Sequence, residues 1–279
     1  MKAENIIKKN WDIFSISIPV YDLDTSVNFY NHILNSNSKM KMSSDTGECF
    51  IEGGDIKLRL FELKTNLKNK KTPQSRRTFF TMMMSNFEEI VEHLNLHKVD
   101  YYKLESTSNT NIETIVIQEP SLNFIELINS KYVSKNKKIN YNWRFHHINL
   151  ESYDVRSSVK FLAHNLKIKE GVWLAPEKLG DVNIKNNQLA IFPLNEHHAG
   201  IHVNKADFTF NWRNNFLHNP TIGGHPAFQV DNINEFLRKL KNSNIPFTDA
   251  KIYAMPNIYQ VYLFDPNANI IEVNQNVLK

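Results

Sequence analysis

The sequence predicts an α+β protein made of four β-α-β-β-β modules paired into two similar domains. Two internal repeats carry that expectation. At a shift of 146 residues, "FFTMMMSNFEEIVEHL" (79–94) falls on "HPAFQVDNINEFLRKL" (225–240), and "IQEPSLNFIEL" (117–127) falls on "LFDPNANIIEV" (263–273), with no gap between them. Pro120 then meets Pro266, Asn123 meets Asn269, and Glu126 meets Glu272. At a shift of 132, "SISIPVYDLDTSVNFY" (15–30) falls on "HINLESYDVRSSVKFL" (147–162), pairing Asp22 with Asp154, Ser26 with Ser158 and Phe29 with Phe161.

The first module, residues 12–64, opens with alternating strand residues. Asp22 precedes a helical stretch, and its side chain can accept from the orphan N–H groups of the first turn. Strand-like "ECFIEGGDIKLRLFEL" closes the module. The second, 76–130, starts with an apolar strand, carries Asn86 in the same capping place, and ends on the strand that holds Glu126. The third, 143–206, repeats the first with Asp154 and "NQLAIFPL"; the fourth, 220–276, repeats the second and ends on Glu272. Basic 64–77 and "NSKYVSKNKKINYN" (129–142) read as linkers. One such module cannot bury both faces of its sheet, so modules pair: residues 1–130 as an N-terminal domain and 143–279 as a C-terminal one.

Composition removes several function classes. The net charge of +4 is mild, and the basic stretches lack the interleaved aromatics of a nucleic-acid surface, so no nucleic-acid partner is expected. There is no apolar run of about 18 residues and no signal-peptide core in "MKAENIIKKNWDIFSI", so no membrane partner is expected either. Cys49 stands alone, which excludes an intramolecular disulfide and a cysteine-based zinc site and agrees with a cytoplasmic setting. No glycine-rich phosphate loop or dinucleotide fingerprint occurs, so no nucleotide cofactor is expected. A homo-oligomer stays open.

With "SISIPVYDLDTSVNFY" heading one module and "HPAFQVDNINEFLRKLKNSNIPF" another, the chain resembles the vicinal oxygen chelate superfamily over nearly its whole length. That superfamily includes glyoxalase I, bleomycin-resistance proteins and extradiol ring-cleaving dioxygenases. The resemblance implies a curved mixed sheet around a cleft in each domain. It also implies metal-ligand positions on the first and last strands of a module. The first-strand positions here are Ser15, Phe79, His147 and His225, and the clear last-strand positions are Glu126 and Glu272. Only the C-terminal half holds two histidines and a glutamate together, so His147, His225 and Glu272 are the expected metal ligands. Two imidazoles and a carboxylate suit one divalent ion with open positions, Fe(II) ahead of Mn(II). No metal site is expected in the N-terminal half, where Glu126 reads as a rim or interdomain residue. His146, beside His147, is expected on the opposite face of its strand, toward solvent or the other domain.

The two-domain catechol 2,3-dioxygenase-like proteins share more with this chain. "LNEHHAGIHV" supplies His197 and His198, and the resemblance gives His198 an acid/base role. "VYLFDPNANIIEV" supplies Tyr262, ten residues before Glu272, as the residue that hydrogen-bonds a catecholate oxygen. The function implied is extradiol cleavage of a small aromatic diol by dioxygen. The chain departs from that pattern in four places. Tyr253 stands where the signature has a histidine, Ala268 where the final turn has glycine, "EVNQN" lacks a later glycine, and an insert makes the stretch between His198 and His225 longer than is usual there. His202 can be laid over the Glu272 position, and as a ligand it would give a glyoxalase-type isomerase or lyase instead. A metal-free protein that binds a small aromatic ligand is the remaining alternative. The insert 204–223 carries Phe208, Phe210, Trp212 and Phe216, which read as a domain-packing loop or as the wall of an aromatic pocket. His197, His202, Tyr253 and Trp212 are therefore candidates for contact with substrate or support of the ligands.

Overall fold

The computed structural model describes residues 10–36, 47–63, 76–104, 112–132, 141–171, 188–194, 200–253, 255 and 257–277. Chain order is β1 (Trp11–Val20), α1 (Leu23–Ile33), β2 (Glu48–Ile51), β3 (Lys57–Glu62), β4 (Phe79–Met84), α2 (Phe87–Leu96), β5 (Tyr101–Leu104), β6 (Thr114–Gln118) and β7 (Phe124–Asn129). It continues through β8 (Arg144–Ser152), α3 (Val155–Asn165), β9 (Leu189–Phe192), β10 (Gly200–Lys205), α4 (Phe210–Arg213), β11 (His225–Gln229), α5 (Ile233–Asn242), β12 (Phe247–Ile252), β13 (Ile258–Phe264) and β14 (Ile270–Asn276). These form two similar α+β domains, each on a seven-stranded mixed sheet, ordered β2-β3-β1-β4-β7-β6-β5 and β9-β10-β8-β11-β14-β13-β12. Among the described residues the first and third modules contribute three strands each, and the second and fourth contribute four.

The sequence repeats hold in register. Ser15 faces Thr81 and Thr81 faces Glu126 in the first sheet; His147 faces Ala227 and Ala227 faces Glu272 in the second. Each first strand also carries one unpaired residue at the same place. The pairing skips Phe14 between Ile13 and Ser15, and skips His146 between Phe145 and His147. A bulge of this kind re-aims the side chains beside it.

Helix starts follow the capping expectation at three of four sites. Asp22 accepts from Thr25 N, Asp154 from Arg156 N and Ser157 N, and Asn232 from Glu235 N, all from extended backbone. Asn86 does not cap: at φ −110°, ψ 38° its backbone departs from that geometry, and its Oδ1 is buried without a partner. The helices bury one apolar stripe each, such as Ile233, Phe236 and Leu240 on α5. Among the described residues no helix is long and apolar enough to cross a membrane.

The domains dock through the repeated Pro turns. Asp265 Oδ1 accepts from the amides of Asn267 and Asn269, and its Oδ2 accepts from Tyr30 on α1 at 3.0 Å. Asn269 also donates to the carbonyl of Pro19 at 2.9 Å. The other domain does the same in reverse. Glu119 holds its own turn through the amides of Ser121 and Asn123 and accepts from Ser158 on α3 at 2.7 Å. Asn123 donates to the carbonyl of Glu151 at 2.8 Å. Each domain thus places its last turn on the first strand and helix of the other.

Candidate metal centre

His147, Ala227 and Glu272 form one cross-strand row over β8, β11 and β14, the central strands of the second sheet. His225 lies two residues before Ala227, hence on the same face. Ala227 offers only a methyl group, which leaves space above the row. Gly224 sets the entry to β11: its φ is +70°, and a Cβ there would meet Asn149 O at 2.7 Å. Glycine is the residue that tolerates both conditions.

The three side chains are buried, and one ligand atom from each lies within 4.8 Å of the others. Glu272 Oε2 is 3.4 Å from His225 Nε2 and 3.7 Å from His147 Nε2. Its Oε1 is turned the other way, accepting from Asn274 Nδ2 at 2.8 Å and Gln260 Nε2 at 3.3 Å. Both ring nitrogens of His225 are buried without a hydrogen-bond partner. Burial alone would push the Glu272 carboxyl up, but His225 beside it, then the Asn274 amide, bring its pKa to about 2. Burial first, then the neighbouring histidines, hold His147 well below the ordinary imidazole value. A buried carboxylate beside two buried imidazoles, one of them with no hydrogen bond at either ring nitrogen, is a donor set that fits a divalent metal ion.

Several neighbours differ from their sequence-level placement. His146 faces neither solvent nor the other domain; it is buried, and its Nδ1 is 2.8 Å from His147 Nδ1. The bulge breaks the strict alternation that the sequence reading assumed. His202 is buried but does not join the converging ligand atoms, because its ring stacks on that of His147 at 4.0 Å and 14°. Burial first, then His146, lowers its pKa to about 3. Glu126 is not a rim residue: it is buried, with its Oε1 2.8 Å from Arg59 Nη2 and its Oε2 accepting from Thr81 at 2.7 Å. By register Arg59 corresponds to His202 and Thr81 to Ala227.

A cavity of about 570 Å³ opens over the row, lined by His147, His202, Tyr262 and Glu272 at its floor and by Phe208 and Phe210 of the insert. The insert is therefore a cavity wall rather than only a packing loop. Trp212 does not reach it and stands 78% exposed. The single turn of α4 puts Phe210 and Arg213 on one face, three residues apart, and leaves Trp212 outside. Tyr253 lines the cavity, donates its hydroxyl to Asn214 and packs edge-on against Phe216. Tyr262, cross-strand from Glu272, accepts from Gln260 Nε2 at 3.0 Å. His197 and His198 lie outside the described residues. Gln260 and Asn274 were missed in the sequence, although each sits two residues from a recognised site residue on the same strand face.

No protein-family model matches the chain, and no curated protein matches it. Solved structures do. A catechol 2,3-dioxygenase superposes with a TM-score of 0.64 at 11% identity, covering 94% of this chain and 87% of that one. A 2,2',3-trihydroxybiphenyl 1,2-dioxygenase from Sphingomonas wittichii strain RW1 gives 0.66 at 11% identity, covering 96% and 91%. A Mn(II)-bound glyoxalase from Novosphingobium aromaticivorans gives 0.62 at 15% identity, covering 95% and 82%. At these identities the likeness is one of fold alone.

Proposed function

We propose that the protein is a metal-dependent extradiol ring-cleaving dioxygenase that acts on a catechol-like aromatic diol with dioxygen. The observation that carries the reading is the convergence of His147, His225 and Glu272 within 4.8 Å, under a cavity walled by Phe208 and Phe210. These three residues would hold the metal, within a C-terminal domain taken as residues 143–279. When bound there, Fe(II) or Mn(II) supplies Lewis acidity toward the diol hydroxyls and a redox partner for dioxygen.

The chain's own residues supply orientation and proton control. The amides of Asn274 and Gln260 occupy Glu272 Oε1, so Oε2 is the oxygen left for the ion. For His147 to present the Nε2 lone pair, its Nδ1–H must donate to His146, and the 2.8 Å contact provides that bond. Burial first, then Glu272, push the Tyr262 phenol well above its ordinary pKa. It therefore acts as a donor to a diol oxygen and not as a base. His198 is assigned the acid/base step on its sequence position. The glyoxalase-type alternative needs His202 in the ligand set, and its stacked ring argues against that.

Oxygen uptake by anaerobically iron-loaded protein across a catechol panel tests the reading, with the yellow ring-cleavage product as a second signal. His225→Ala is expected to lose the iron. His198→Ala is expected to keep it and to turn over about a hundredfold more slowly, the scale of a positioned acid/base. No oxygen uptake with any catechol sinks the reaction class; unchanged turnover in His198→Ala sinks only that residue's role.

A further inference from the structure

Three more histidines meet where the domains join. His93 lies in the last turn of α2, His97 directly follows that helix, and His164 lies in the last turn of α3. Their ring centroids are 4.2 Å (His93–His97), 4.8 Å (His93–His164) and 5.0 Å (His97–His164) apart. One nitrogen from each lies within 4.8 Å of the others. We propose that His93, His97 and His164 form a second metal site, for zinc or a neighbouring divalent transition ion, that ties α2 of one domain to α3 of the other.

The spacing of His93 and His97 puts both rings on one side of a helix, one turn apart. His164 closes the set from the facing helix. A donor set of imidazoles alone suits zinc, copper or nickel; calcium and magnesium require oxygen donors. Three nitrogens on a tetrahedral zinc ion leave the fourth position to water. Zinc–nitrogen bonds near 2.0–2.1 Å place the nitrogens about 3.4 Å apart, so the rings need to close by roughly an ångström. His97 and His164 are exposed and can do this by side-chain rotation.

Helix dipoles account for one cationic residue at each C-terminal end. They do not account for three imidazoles packed together with Lys167, whose Nζ is 3.2 Å from His93 Nδ1. That arrangement is repulsive whenever the rings are protonated. His93 Nε2 is also buried without a hydrogen-bond partner, as an unfilled ligand atom would be. Lys167 competes with an ion for the cluster, and its exposed side chain must swing away for the ion to enter.

The experiment is a calorimetric zinc titration of the full chain in a His225→Ala background, which disables the other site. One zinc equivalent is expected there. His97→Ala or His164→Ala added to that background should weaken it at least about tenfold, and Lys167→Ala should tighten it. Zinc should raise the melting temperature of His225→Ala but not that of His164→Ala/His225→Ala, since only an ion bound to the folded state stabilises it. Absence of zinc uptake by His225→Ala overturns the site. Equal affinity with and without His164 overturns the link between domains.

Discussion

Replacing Arg59 with methionine should expose what the N-terminal cleft depends on. The guanidinium lies 2.8 Å from Glu126 Oε1 and donates to Ser17 Oγ at 2.9 Å, with side-chain exposures of 18% for Arg59 and 8% for Glu126. Arg59→Met leaves the buried carboxylate with the Thr81 hydroxyl, 2.7 Å away, as its remaining described partner. Breaking a buried pair from one side costs about 3–5 kcal/mol. Urea unfolding at neutral pH measures the loss. Arg59→Met/Glu126→Gln should return to within about 1 kcal/mol of wild type, because neither charge is then stranded. A single variant within about 0.5 kcal/mol of wild type at neutral pH refutes the reasoning, since that is the range of an ordinary surface change. A double variant no more stable than the single one refutes it as well.

Two other outcomes are expected. Asn274→Leu removes the donor that turns Glu272 Oε1 away from the ion, and should weaken iron or manganese binding about 10–100-fold in a chelator competition; unchanged affinity removes Asn274 from the site. His218 is fully buried, its Nδ1 is 2.8 Å from Thr248 Oγ1, and burial lowers its pKa to about 4. The unfolded chain therefore takes the proton first, so the contribution is complete above about pH 6.5 and is lost as pH falls toward 4. Between about pH 7 and about pH 5 that amounts to about 2 kcal/mol, and His218→Asn should show an acid-induced loss smaller by about that amount. An identical acid slope in urea unfolding rejects it.

The pattern of successes and misses in the sequence has physical causes. Repeats at fixed shifts translate directly into equivalent strand registers, so the four modules were legible; His147, His225 and Glu272 were picked out by the family resemblance, not by the repeats. Single-residue effects were not. The bulge at His146 adds one residue to one strand and overturns the face of that side chain, and nothing in "RFHHINL" announces it. Arg59 lies 67 residues from Glu126, so their pairing depends on a fold-level register that no local pattern carries. Trp212 looked like a pocket residue because aromatics crowd the insert, but a one-turn helix fixed which of them face inward. Gln260 and Asn274 are ordinary amides whose role comes from the carboxylate between them, and alternation alone could have flagged both.

The reciprocal Pro turns have a consequence for assembly. Asp265 with Asn269 grips the opening of the first domain, and Glu119 with Asn123 grips the opening of the second. Each half therefore carries both the hook and the ledge, as the two partners of a symmetric pair would. Hooks and ledges are made of backbone, hydroxyl, carboxylate and carboxamide groups that find their partners within the chain. The half that contains Arg59 brings its own cation to its buried acid. One half thus balances its buried acid from within the chain, and the grip between the halves draws on neither buried carboxylate row.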